Sequence, residues 1–341
     1  MVPARFRGFL KLSNFPQVHE LRYAPNRPFF LRQIFPPPSS FMKSFLLASL
    51  TLLPYSSSLA RADSPAEQLG WKLAVHSYTF QKFSIFDAID KTAALGLKNM
   101  SISGSMNLPG PDAQILKSPT VNISEEDAAK VTARLKEKGI EPVFVNMGVV
   151  KPSTDEAATR KIFEGAKRFG ITVLVAEPET HGKMDELGPV MDVVEKFAQE
   201  FNIKVAIHNH PQPSFFWNPE TVLAAVNGRS PLLGACADVG HWVRSGLDPV
   251  ESLKKLEGRV ITLHFKDLNE KAKNAHDVPW GSGVGNTKGL LTELKRQNFK
   301  GEICVEYEHN WENSMPEIAE SLKWFNATCK ELAAGAKTSG K

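Results

Sequence analysis

The chain has little cysteine, no apolar run long enough to cross a bilayer, and no basic surplus once its first 62 residues are set aside. Its three cysteines, Cys236, Cys304 and Cys329, cannot all pair, and two of them fall in apolar, strand-like runs. That argues against a disulfide framework and for small buried side chains. The most apolar stretch, FLLASLTLLPYSSSLA, follows Met42 and Lys43 closely and has 16 residues, short of the roughly 20 that a spanning helix needs. Behind it, Ala60 and Ala62 place small residues where a signal peptidase requires them. Residues 42–62 therefore read as a signal peptide, and residues 1–41, rich in Pro, Phe and Arg and without periodicity, as a mis-started extension. The expectation is an exported protein, periplasmic or secreted, with no stable membrane insertion after cleavage.

The leader also distorts the charge. Of 41 basic and 37 acidic residues, eight basic and one acidic lie in residues 1–62, which leaves 33 and 36. The net charge of +4 thus belongs to the leader, and no basic stripe remains to argue for a nucleic-acid partner.

Linkers and composition breaks are missing after Asp63 as well, so residues 63–341 read as one domain. What is present is an eightfold alternation of short apolar runs and helical patterns, the signature of parallel βα units. The expected strands are Lys72 to Thr79, Asn99 to Ser103, Pro142 to Asn146, Ile171 to Ala176, Ile203 to His208, Leu233 to Asp238, Val260 to Phe265 and Glu302 to Tyr307. Ser124 with Asp127 resembles a capping box, and Gly170 a left-handed helix stop. The consistent solution is an α/β fold, a single (β/α)8 TIM barrel, in which chemistry sits at the carboxyl ends of the strands.

Polar residues fall at those ends. His208, Asp238, His264 and Glu306 each close an apolar run, an arrangement expected to grip one divalent metal from several strands. Asp238 in an apolar strand needs a partner; a metal supplies one, and capping the next turn is the alternative. Glu177 reads as a fifth ligand, as an acceptor orienting the His208 ring, or as a base. His208 and His210 share a face, as do Glu306 and Glu308, which leaves His210 as candidate base and Glu308 as candidate base or hydroxyl acceptor. His241 is placed to touch substrate, and Lys266 to hold a substrate oxygen or to pair with Asp267. Tyr78, Trp242 and Trp280 offer aromatic faces to a sugar; Asn146 and His76 are weaker pocket candidates.

Asp238-Val239-Gly240-His241, His264-Phe265-Lys266-Asp267, the Gly281-Ser282-Gly283 turn and Val305-Glu306-Tyr307-Glu308 together resemble the xylose isomerase-like barrel superfamily. The resemblance is to its sugar phosphate isomerase/epimerase group and covers roughly Leu73 to Leu332. It implies that Asp238, His264 and Glu306 are metal ligands and that His241 contacts substrate. Many relatives carry Glu at the position of His208, where it is a ligand and one of two bases, so His208 bears against two-base epimerisation. Ser101-Ile102-Ser103 likewise stands where relatives often show Glu. Related barrels act on keto-sugars by dehydration or β-elimination.

The expected function is a sugar isomerase/epimerase-type enzyme that abstracts a proton α to a carbonyl of a small sugar or keto-sugar. A keto-glycoside lyase or dehydratase is the first alternative, and a non-catalytic carbohydrate-binding barrel the rival from another class. Mixed N/O ligands favour Mn²⁺ or Zn²⁺, with Mg²⁺ or Co²⁺ as further candidates. A homo-oligomer is left open.

Overall fold

The computed structural model describes residues 63–109, 115–146, 151–180 and 182–335, the side chains of 144–146 and 335 excepted. Residues 1–62, where a signal peptide is expected, lie outside the described residues.

Eight strands close a barrel: β1 Trp71–His76, β2 Asn99–Ile102, β3 Glu141–Asn146, β4 Val173–Ala176, β5 Lys204–His208, β6 Leu233–Asp238, β7 Val260–Phe265 and β8 Gly301–Val305. Each pairs in parallel with its sequence neighbours, and β8 pairs with β1. Five strands, β1, β2, β4, β5 and β8, are shorter than the apolar pattern suggests, and two of them lose residues at the carboxyl end that matter for the site. Ser77–Phe80 is a 3₁₀ turn rather than the end of β1, and Glu306 and Tyr307 lie just past β8.

The helices follow local chemistry. Asp155 caps Glu156–Arg168 through the Ala158 amide, and that helix buries Thr159, Ile162, Phe163 and Ala166 at helical spacing. Gly170 holds φ +70 behind it, a conformation that suits glycine. Ser124 accepts from the Asp127 amide but gives its hydroxyl to the Asp127 carboxylate, so only half of the expected capping box forms. Among the described residues no helix is long and apolar enough to cross a membrane.

Two apolar layers result. A large one lies between strands and helices and includes Phe163, Phe197 and Phe325; truncating one such side chain to Ala costs about 3–5 kcal/mol. A smaller one fills the barrel bore with residues that include Ala74, Val175, Ala206, Cys236 and Cys304. The three cysteines are buried and unbridged. After β2 the chain adds an antiparallel hairpin, Ser105–Asn107 with Ile115–Lys117, which the eightfold pattern does not contain.

Candidate metal centre

The bore residues explain the site above them. Side chains two positions apart share a strand face, so the residues that follow Ala74, Val175, Ala206, Cys236 and Cys304 by two also point inward. They are His76, Glu177, His208, Asp238 and Glu306. An apolar floor thus carries a ring of ionisable groups at the carboxyl ends of the strands.

Three of these groups converge with His264. One ligand atom each from His208, Asp238, His264 and Glu306 lies within 4.8 Å of the others, and all four residues are buried. His208 Nε2 stands 3.1 Å from His264 Nδ1 and 3.6 Å from Asp238 Oδ2. His264 Nδ1 is 2.8 Å from Glu306 Oε2 and 3.9 Å from Asp238 Oδ2. Ligand atoms about 2.1 Å from a tetrahedral ion stand roughly 3.4 Å apart, so these spacings bracket what an ion would require. Asp238 Oδ2 and Glu306 Oε2 are buried, aimed into the cluster and without an aligned hydrogen bond. The residues present therefore fit a divalent ion with mixed N/O ligands.

Asp238 serves two purposes. Its Oδ1 accepts from the His241 amide at 2.8 Å and caps the short helix Val239–Arg244, while Oδ2 faces the cluster. Asn209 fixes the backbone here: its amide donates to the Asp238 carbonyl and its carbonyl accepts from the Asp238 N–H, at 2.9 and 2.8 Å. Gly240 is required because a Cβ there would stand 2.8 Å from the Lys266 side chain.

Lys266 runs beneath that helix to the centre. Its buried ammonium lies 3.1 Å from Asp238, 2.9 Å from Glu306 and 2.7 Å from Glu308. It does not pair with Asp267. The Asp267 carboxylate instead accepts from the amides of Leu268, Gly281, Gly283 and Gly285, tying down the glycine turn. Glu308 is held again by Arg244 at 2.7 Å, and Arg244 reaches Asp277 at 3.2 Å. Glu308 is thus fixed between two cations, Lys266 and Arg244.

The imidazoles divide by protonation. His210 Nδ1 is hydrogen-bonded to Glu177; the carboxylate accepts, which leaves Nε2 as the basic nitrogen. Its ring stacks on His241 with centroids 5.2 Å apart. Arg244 donates to His241 Nδ1 at 3.2 Å, and a guanidinium only donates, so the neutral His241 ring carries its proton on Nε2. That nitrogen is 3.5 Å from Asp238 Oδ2.

Burial and charge shift the titrations. Burial holds His241 well below its ordinary range and takes His76 down to about 3. Burial also works against the charged forms of His208 and Lys266, yet carboxylates prevail: Asp238 and Glu177 lift His208 to about 9, and Asp238, Glu306 and Glu308 lift Lys266. Despite burial, His241 and Lys266 hold Asp238 low, and His264 and Lys266 do the same for Glu306. Burial raises Asp277 to about 7 in spite of Lys266 and Arg244.

The match to known proteins agrees with this architecture. A family model described as a xylose isomerase-like TIM barrel matches residues 89–328. The chain belongs to that family. A solved structure of an uncharacterised protein from Parabacteroides distasonis is 33% identical, with a TM-score of 0.57 over 75% of this chain and 98% of its own. A structure of IOLI protein with a zinc atom shares the fold at 17% identity and a TM-score of 0.56, covering 76% of this chain and 98% of that one. Among curated proteins, an inosose dehydratase of Clostridium tetani is 28% identical over 38% of this chain and 49% of its own length. The chain spans about half the length of the curated relatives it matches first.

Within this xylose isomerase-like barrel, some expected residues lie elsewhere. Glu177 stands outside the central four but forms a second group with His208 and His210 whose ligand atoms lie within 4.8 Å of one another; it bonds His210 and Lys151 and is 4.0 Å from His208. Trp242 and Trp280 are 1% and 2% exposed, and Trp280 packs on Phe265 and Phe325. They are core side chains, which corrects the expectation that they stack on substrate. Tyr78 is half-buried at the rim. The Asn146 side chain lies outside the described residues. Sequence reasoning missed Asn209, Arg244 and Asp277. Arg244 carried one signal, its place one helical turn after His241.

Proposed function

We propose that this chain is a metal-dependent enzyme that removes a proton α to the carbonyl of a sugar or keto-sugar, in the manner of sugar isomerases and epimerases. The convergence of His208, Asp238, His264 and Glu306 within 4.8 Å carries the reading. These four would hold a divalent ion, with Zn²⁺ and Mn²⁺ the first to test. Bound there, such an ion polarises a carbonyl and stabilises the negative charge that proton loss leaves on its oxygen.

The chain's own residues do the rest. His210 takes the proton on Nε2, with Glu177 fixing its ring and stabilising the charged imidazole. His241 offers its Nε2 proton to a substrate oxygen. Glu308, held by Lys266 and Arg244, accepts a hydrogen bond from a sugar hydroxyl.

One observation favours a second reading, a dehydratase or keto-glycoside lyase. His210 and His241 stack, so base and acid stand on the same side of any ring between them and the cluster. That suits loss of a proton and a neighbouring oxygen from one face, whereas epimerisation needs proton exchange on opposite faces. The similarity to an inosose dehydratase points the same way. Export to the periplasm or beyond is part of the proposal, resting on residues 42–62 alone.

The test is metal analysis of the purified chain together with proton-exchange NMR in D₂O over keto-sugars and keto-glycosides. Deuterium at the α carbon is expected. An unchanged substrate otherwise favours isomerase-type chemistry, and a released hydroxyl or aglycone favours the lyase. Full metal content and exchange in Asp238→Ala would overturn the assignment, and sugar binding indifferent to chelator without exchange would leave a binding barrel.

A further inference from the structure

We propose that the barrel mouth carries a second ring-binding subsite built on Tyr78 and Trp311, so that the substrate is a two-ring glycoside rather than a free monosaccharide. The inference rests on reading the cluster as a sugar centre. Tyr78 borders that centre: its ring lies 6.4 Å from that of His76, whose Nε2 is 3.8 Å from Glu306 Oε1. Tyr78 also meets Trp311 edge-on, with centroids 5.6 Å apart and planes at 82°. Both rings are half-buried, and together they form a corner of two aromatic faces.

Tyr78 also lines a cavity of about 240 Å³ with Gln81, Ser105, Asn107, Ile115 and Lys117. These residues follow β1 and β2, so the cavity opens at the same rim as the cluster. Its walls are preformed: Asn107 donates to the carbonyls of Gln81 and Phe83, and Lys117 donates to Ser105. Ile115 is 59% exposed at this cavity, one of three large hydrophobic side chains so exposed among the described residues. Aromatic and aliphatic faces edged by amide, hydroxyl and ammonium groups suit a ring with an apolar face and polar edges. A second sugar and an aromatic aglycone share that chemistry.

Calorimetry on the full chain tests the subsite, using glucose, cellobiose, maltose and 4-nitrophenyl β-glucoside as probes. At least one two-ring probe is expected to bind at least tenfold more tightly than glucose. Trp311→Ala should bring that ratio within twofold and leave glucose unchanged, while Trp311→Phe keeps most of it. Tighter disaccharides identify a sugar as the occupant, and a tighter nitrophenyl glucoside identifies an aglycone. Equal binding of one-ring and two-ring probes, no binding by any, or equal weakening of glucose by Trp311→Ala would overturn the subsite. Metal content and deuterium exchange are read separately; their loss with the binding ratio intact would sink the catalytic reading and leave the subsite standing.

Discussion

The two ends of the barrel share one set of strands and treat charge in opposite ways. At the amino end, Lys72, Lys204 and Glu302 line an open cavity of about 410 Å³; burial raises the Glu302 carboxyl and the two lysines pull it back. At the carboxyl end, Asp238, Glu306, Glu308 and Asp277 crowd around Lys266 and Arg244, all buried but Glu308 and Arg244, which are half-buried. Closing a barrel needs only the first arrangement. The second gathers four carboxylates against Lys266 and Arg244, with His208 lifted to about 9 beside Asp238 and Asp277 raised to about 7, and such perturbed groups cluster where a fold does chemistry.

The sharpest way to break this contrast is at Asp238. Asp238→Asn keeps the capping oxygen and removes the charge, so bound metal and turnover should fall on the order of 10²–10³-fold with the fold retained, as elemental analysis, kinetics and circular dichroism would show. Lys266→Met should destabilise the metal-free protein by about 3–5 kcal/mol because three carboxylates lose their shared partner. Added Mn²⁺ should restore part of that loss in thermal melts, and no recovery would count against an ion at this end.

How far this was legible follows from where each signal sits. Asp238, His264 and Glu306 each end an apolar run, and a polar side chain there stands out against a strand pattern of period two. Asn209 carries no such contrast, because its role comes from a loop whose path periodicity does not fix, and Arg244, the last residue of the helix Val239–Arg244, showed only its helical spacing from His241. Trp242 and Trp280 misled for the converse reason: they sit in rim segments by sequence but are buried in the apolar layer, Trp280 against Phe265. The two-residue alternation at His208-Asn209-His210 read correctly for both imidazoles and hid the clamp between them. The hairpin after β2 was illegible because its strands have only three residues each.

Smaller effects sharpen the contrast further. Glu177→Gln should lower turnover by about 10–100-fold, chiefly in kcat, since it loosens the orientation of His210 and leaves the central four in place. Asp277 gives a pH signature. Its folded pKa of about 7 lies above the unfolded value near 3.8, so the folded state binds the extra proton between them. Its contribution is fully present below the lower value and is lost as pH rises through the upper one, on the order of a few kcal/mol; Asp277→Asn should flatten that slope in denaturant titrations. At the amino end, Glu302→Gln should leave metal content and turnover unchanged and move stability by no more than about 0.5 kcal/mol. A large loss of activity there would erase the distinction between the two ends.

The Asn209 clamp has a consequence for how such a barrel can change. It extends the ladder between β5 and β6 by one rung past the point where their backbones part, using a side chain in place of a peptide group. The floor of the mouth is therefore braced independently of the segments that arch over it, and those segments can be exchanged for others without retuning the bed on which the chemistry rests.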